Sequence, residues 1–334
     1  IYYAKVGRDH FGLALDVLAD MVTDPVFDDD EIDRERRVVI EEISMTYDQP
    51  DALADILMDE ALWPEHAMGR DIAGTKESVM NIPKDGLVGY FNQQYCPKNV
   101  VLAVAGSVTH DQVTQAAESL LGSWAGGLPL TSKPFSPIPG VRIKLASRDT
   151  DQAHLCLAVD GVKNTAQDRY AFDMLNAILG EGMTSRLFLE VRERRGLAYE
   201  VHSSSIHYRD CGALVVYCGV DASKVDGAIE AILGEFGKLR ESVPAADLSK
   251  SVEYAVGRLD LRLEDTRAVM GWIGGQELMK GNVLTPENVV TDLRAVTAGE
   301  VAEAAVRYLN PNGYRLAVVG PFSSDDIFRR AIGA

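Results

Sequence analysis

The chain has 334 residues, more than one hydrophobic core usually serves, so two domains are expected before any pattern is read. Hydrophobic residues make up 46% and charged residues 25%, ordinary for a globular protein, and no apolar run reaches the length of a membrane helix, which excludes a membrane-spanning class. Fifty acidic against 33 basic side chains give a formal net charge of −17, which repels nucleic acid and anionic lipid and favours basic partners.

Residues 1–6, Ile1-Tyr2-Tyr3-Ala4-Lys5-Val6, have the composition of the middle of a β-strand, with no Met and no basic leader. Phe11, Leu15, Leu18 and Val22 recur at helical spacing and predict a helix over 9–22, stopped at Thr23-Asp24-Pro25 because proline cannot continue it. Asp28-Asp29-Asp30-Glu31 can cap free N–H groups and suit the helix dipole, so a second helix is predicted to begin there and run to about Tyr47, with Ile32, Val39, Ile40 and Ile43 as its buried stripe. Glu35 and Glu42 are seven residues apart on it, two turns, and so share a face beside that stripe, whereas Glu41 points about 100° away. On periodicity alone this is a solvated acidic face neutralised by Arg34, Arg36 and Arg37.

Further on, Tyr95 to Gly106 reads as a turn followed by an apolar strand ending in glycine. A Pro- and Gly-rich stretch over 125–140, including Pro129, Pro134, Pro137 and Pro139, reads as an interdomain linker. Beyond it the pattern predicts a strand pair (142–147 and 153–160), a helix from Asp168 ended by Gly180, a helix near 184–194, strands 198–206 and 213–219, and an amphipathic helix over 222–240. The run Leu102-Ala-Val-Ala-Gly106 returns as Leu316-Ala-Val-Val-Gly320, an offset of 214, and the same offset lays residues 1–22 on the strand and helix beginning at Val215. Long-period similarity of this kind indicates a duplicated unit. The second copy owns a prelude, 142–213, without a counterpart in the first, so the first copy is expected to lack its beginning. The fold expected is α+β, two homologous domains each with a mainly antiparallel sheet and helices packed on it: 1–124, the linker 125–140, and 141–334.

The four cysteines, Cys96, Cys156, Cys211 and Cys218, form no C-x-x-C pair and are too sparse for a disulfide framework, which fits a reducing, cytoplasmic setting. The six histidines include no pair at helical ligand spacing, and His202 and His207 read as strand surface. Gly180 and Gly182 are not a phosphate loop, because no G-K-[ST] follows.

Glu35-Arg36-Arg37-Val38-Val39-Ile40-Glu41-Glu42-Ile43, then Trp63-Pro64-Glu65-His66-Ala67-Met68-Gly69-Arg70 and Tyr95-x-Pro97-x-Asn99, resemble the pitrilysin, insulinase and mitochondrial processing peptidase superfamily. So does Leu179-Gly180-Glu181-Gly182-Met183-Thr184-Ser185-Arg186-Leu187-Phe188 with Arg192-Glu193-Arg194-Arg195-Gly196-Leu197-Ala198-Tyr199. The resemblance implies a Zn2+-dependent endopeptidase that cleaves peptides or unfolded segments inside a closing two-domain chamber. It makes Glu42 the third zinc ligand, downstream of an H-x-x-E-H motif that residues 1–334 do not contain, and Glu35 a carboxylate that orients a ligand histidine. It gives Arg192 and Tyr199 the task of holding the substrate backbone and the developing oxyanion. Ser251 and Arg258 stand near the second-copy equivalents of Glu35 and Glu42, so only the first copy can be the metal half. Alone, the stretch is expected to be inactive and, through the strand edge at Ile1–Val6, prone to aggregate. Both half-signatures on one chain favour a self-sufficient enzyme, alone or as a homodimer, over one subunit of a two-chain enzyme, and Glu35, Glu42, Arg192 and Tyr199 standing together argue against the rival of a non-catalytic structural or regulatory subunit.

Overall fold

A computed structural model describes residues 1–138, 140 and 142–333. Pro139 of the predicted linker, and Val141 and Ala334 of the predicted second domain, lie outside the described residues. In chain order the elements are α1 (Phe11–Thr23), α2 (Asp29–Asp48), α3 (Pro50–Leu62), α4 (Lys76–Asn81), α5 (Lys84–Gln94), α6 (His110–Leu121), β1 (Arg142–Ser147), β2 (Gln152–Asp160) and α7 (Arg169–Gly180). A π-helical turn (Phe188–Arg194) leads to β3 (Ala198–His207) and β4 (Gly212–Asp221). Then come α8 (Val225–Glu241), α9 (Ala245–Arg262), α10 (Thr266–Lys280), α11 (Pro286–Ala295), α12 (Ala298–Tyr308), β5 (Arg315–Gly320) and α13 (Asp326–Ile332).

The helical order of the first third recurs in the last. α1 and α8 begin 214 residues apart, as do α5 and α12 and the 3-10 turns at Pro97 and Pro311, while α2 and α9, and α3 and α10, begin 216 apart. Local chemistry sets these boundaries. Asp28 caps α2, its Oδ1 accepting from the N–H groups of Asp30 at 3.0 Å and Glu31 at 3.2 Å. Thr75, Thr109, Thr285 and Thr297 each close a capping box on the helix that follows.

The chain divides into two compact units. The first comprises Ile1–Glu41, Thr75–Lys133 and Leu259–Leu284. It is mostly helical and held by ring contacts and surface ion pairs: Phe27 meets Phe91 edge-on at 5.4 Å, Phe91 stacks on Tyr95 at 4.3 Å, and Lys84 pairs with Asp29 at 2.9 Å. The strands predicted for Ile1–Val6 and for the run ending at Gly106 are not formed. Among the described residues neither segment has a neighbouring strand to share a ladder with, and without one the backbone gains nothing from the pleated conformation. Their apolar side chains, Ile1, Tyr2, Val6, Val100 and Leu102 among them, are exposed.

The second unit comprises Glu42–Gly74, Pro134–Arg258 and Thr285–Ala334 and carries a five-stranded sheet of order β1-β5-β2-β4-β3. Only the β1–β5 pairing is parallel. The predicted strand pair β1/β2 is not adjacent, because β5 inserts between them: Leu145 is opposite Val318 on one side, and Leu155 is opposite the same Val318 on the other. Both faces are covered over the central strands, so β2, β4 and β5 read as near-continuous apolar runs, whereas the edge strands β1 and β3 do not. On one face Leu155, Leu157, Val159, Val216 and Val318 join α7, α8 and α12 in the main core. The opposite face is built from smaller residues, Cys156, Ala158, Ala213 and Ala317, on which α3 lies through Leu53, Ala54, Met58 and Ala61. All four cysteines are buried free thiols. No helix among the described residues is long and apolar enough to cross a membrane.

Asp59 on α3 is the unfavourable charge in this layer: burial, with repulsion from Asp55 and Asp71, raises its carboxyl to about 6. A carboxyl whose folded pKa lies above its ordinary 3.8 costs nothing below that pH, and its penalty grows as pH rises to about 6 and is complete above it. Asp59→Asn is therefore expected to stabilise the protein by about 1 kcal/mol at pH 7.5, after discounting for the water that still reaches the group, and by almost nothing at pH 4. Paired urea denaturations at the two pH values check this.

Candidate active site

The segment joining α7 to β3 is shaped by close backbone contact. Gly180 ends α7 where an added Cβ would lie 2.3 Å from Ser203 Oγ and 2.5 Å from its backbone N, so nothing larger fits. The chain then passes into the π turn, where the Arg195 N–H reaches the carbonyl of Glu190 at 3.2 Å, five residues back. Gly196, at φ +55°, takes the left-handed conformation that releases the chain into β3.

Two features of this segment bring Arg192 and Tyr199 together. The guanidinium of Arg192 lies over the ring of Phe188 at 4.8 Å and over that of Tyr199 at 5.3 Å. Opposite β4, Ala198 pairs with Val220 and Glu200 with Gly219, so Tyr199 is the extra residue of a β-bulge, and its side chain turns outward, 77% exposed. The ion pairs that could have absorbed Arg192 go to its neighbours: Glu190 accepts from Arg194 at 3.2 Å and from Arg195 at 2.9 Å, and these bonds, the one from Arg195 foremost, hold its carboxyl below the usual range. Among the described residues Arg192 has no carboxylate partner. A half-buried cation and an exposed phenol thus stand side by side, and Tyr199 borders an open groove of about 420 Å³ lined also by Gln152, Gly196, Asp221 and Lys224. Phe188, four residues before Arg192, was not singled out in the sequence, although an aromatic and an arginine at that spacing are the available signal.

Glu35 and Glu42 lie two turns apart on α2, and both are exposed. The acidic face expected from periodicity is solvated and neutralised in part: Arg34 pairs with Glu31 at 2.6 Å and Arg36 with Asp33 at 2.7 Å, while Glu35 and Glu42 have no ion pair among the described residues. Their counterparts in the last third have other environments. Ser251 is buried, and Arg258 donates to Glu181 Oε2 at 2.7 Å while Asn176 donates to Oε1 at 2.6 Å. Burial still raises the Glu181 carboxyl despite these two partners. His202 is exposed on β3, as read, but His207 is not surface: its ring is largely buried, with Nδ1 2.8 Å from the Val162 carbonyl and Nε2 2.8 Å from Asp173. The end of β3 packs against α7, and strand alternation carries no information about that.

Residues 1–76 match the family profile "Insulinase (Peptidase family M16)", and residues 81–254 match "Peptidase M16 inactive domain". The "Uncharacterized zinc protease YmxG" of Bacillus subtilis is 36% identical over 96% of this chain and 78% of its own length. An "Uncharacterized zinc protease" of Streptomyces coelicolor is 32% identical over 98% of this chain and 73% of its own. Among solved structures, the peptidase M16 inactive domain from Pseudomonas fluorescens superposes with TM-score 0.86 at 21% identity, covering 95% of this chain and 76% of that one. A chain of complex III2 from Candida albicans gives 0.86 at 17% identity, covering 98% and 81%. These likenesses define the class, the pitrilysin-type metallopeptidases. Within it, the chain belongs to peptidase family M16.

The Arg258–Glu181 pair gives this site a pH-dependent test. Arg258→Ala leaves the half-buried Glu181 with Asn176 alone, so a loss of about 1 kcal/mol is expected at pH 7.5. Because Glu181 is already raised and loses a cation that lowers it, the loss shrinks as the carboxyl protonates toward pH 4. Equal losses at both pH values, read by thermal denaturation, would contradict the pairing.

Proposed function

We propose that this chain belongs to a zinc-dependent endopeptidase that cleaves peptides or unfolded segments, with Arg192 and Tyr199 as the groups that grip the substrate backbone. The observation that carries the reading is the Arg192 guanidinium set against Tyr199 at 5.3 Å, with no carboxylate partner among the described residues. Guanidinium N–H and phenol O–H are both donors, suited to a peptide carbonyl and better suited to the negative oxygen it becomes on attack. The relatives' printed names, zinc proteases, support the same reaction class. The net charge of −17 favours basic, extended substrates.

Zinc takes three or four ligands from His, Cys, Asp or Glu, and the described residues hold no group of three that could bind a metal. The residues present therefore do not fit zinc by themselves. In this reading Glu42 is one ligand and Glu35 a carboxylate that orients another, and no reaction step through the metal follows from these residues. The domain boundaries that accompany it are 1–124, the linker 125–140 and 141–334, in an enzyme acting alone or as a homodimer.

The test is zinc content and cleavage of an unstructured basic peptide by the full-length protein. Glu42→Gln is expected to lose both zinc and activity. Arg192→Ala and Tyr199→Phe should keep zinc while kcat/KM falls by a factor of about 10² to 10³, the usual loss for one oxyanion donor. A metal-free, inactive wild type would instead support a non-catalytic structural or regulatory subunit.

A further inference from the structure

Within the second unit, α7, the residues entering the π turn, α8 and α9 enclose a cavity of about 300 Å³. One of its lining groups is Ser185, only 3% exposed, whose Oγ has no hydrogen-bond partner among the described residues. Buried hydroxyls are ordinarily bonded, and the residue that carries this one lines a space large enough for a small ligand.

The charges around the cavity say what kind of ligand. Each acid that lines it is already engaged: Asp247 by Arg186 at 3.0 Å, Glu235 by Lys238 at 2.6 Å, Glu190 by Arg194 at 3.2 Å and Glu181 by Arg258 at 2.7 Å. Lys250 is different. Its Nζ donates to the carbonyl of Thr184, the residue before Ser185, at 2.9 Å, and it has no carboxylate partner among the described residues. An ammonium has three donors, so two remain, on a residue that lines the same cavity as Ser185, whose hydroxyl has one more. The wall thus offers spare donors and one uncompensated positive charge, and no spare acid.

We propose that this cavity binds a small oxyanion, a phosphate or a carboxylate, held by Ser185 Oγ and Lys250 Nζ. The ligand's negative oxygens accept from both groups, which satisfies the buried hydroxyl and balances the lysine. The site is separate from Arg192 and Tyr199, neither of which lines it, and does not depend on the peptidase reading.

The experiment titrates the full-length protein by NMR with inorganic phosphate and, separately, with acetate, at ionic strength held constant with chloride. Saturable binding of either anion is expected, weakened about tenfold or more in both Ser185→Ala and Lys250→Met. The stronger of the two anions then names the ligand class. Lys250 is exposed, so its substitution tests the site without endangering the fold even if Ser185→Ala proves unstable. Absence of saturable binding overturns the proposal, and so does binding indifferent to Lys250→Met, or a crystal grown in phosphate that shows only water on Ser185 Oγ.

Discussion

The second unit depends on β5, which the chain places between β1 and β2 only after more than 150 further residues. All six of its residues are buried, and it ladders with β1 in parallel and with β2 in antiparallel sense. Until it arrives, β1 has no partner in the sheet, since among the described residues it pairs with β5 alone. Pairing of such sequence separation is slow to form because loop closure must be met before any contact rewards it. Once in place, it completes a sheet wide enough to carry large aliphatic side chains on one face and small ones on the other. α3 can lie close to the sheet because Ala158, Ala213 and Ala317 leave room for it.

That rigid sheet is what makes the far edge useful. β3 pairs only with β4, and the bulge at its start is possible because an edge strand has one side free of ladder constraints. The bulge turns Tyr199 outward; the π turn, closed by the Glu190 carbonyl, brings Arg192 to it. Glu190 matters twice, through its backbone in the turn and through its side chain, which engages Arg194 and Arg195 and leaves Arg192 to the two rings.

Helices were legible in the sequence because their determinants are local. The Asp28 cap and the stop before Pro25 are written within a few residues of where they act, and α2 begins and ends within a residue or so of its reading, although of its expected buried stripe Ile43 is buried and Ile32, Val39 and Ile40 are half-buried. The sheet order was not legible, since nothing near Arg142 or Gln152 indicates that residues 315–320 will separate them. Residues 1–6 and the run before Gly106 show the same limit from the other side: β composition makes a strand only where a neighbour supplies the other half of each hydrogen bond. At the site, Arg192 and Tyr199 were found through the family resemblance and not through spacing, because the bulge and the π turn that unite them leave no periodic trace. Ser185 escaped notice because an orphaned hydroxyl is a property of packing alone.

The repeated helices show how a duplicated scaffold diverges in charge. On α2 the two glutamates are exposed and without ion pairs among the described residues; on α9 the matching positions hold a buried serine and an exposed arginine that pairs with an acid. Glu181, just past the end of α7, is that acid, and it would be poorly tolerated there alone because burial already disfavours its charged form. The two changes are therefore coupled: a carboxylate at position 258 would set like charges together against Glu181, and a neutral residue there would leave Glu181 short of its cation. An internal guanidinium at this position satisfies the local electrostatics with no exogenous cation. That is a physical reason for the last third to keep the helical scaffold while replacing the exposed glutamates of α2 by a buried serine and a paired arginine.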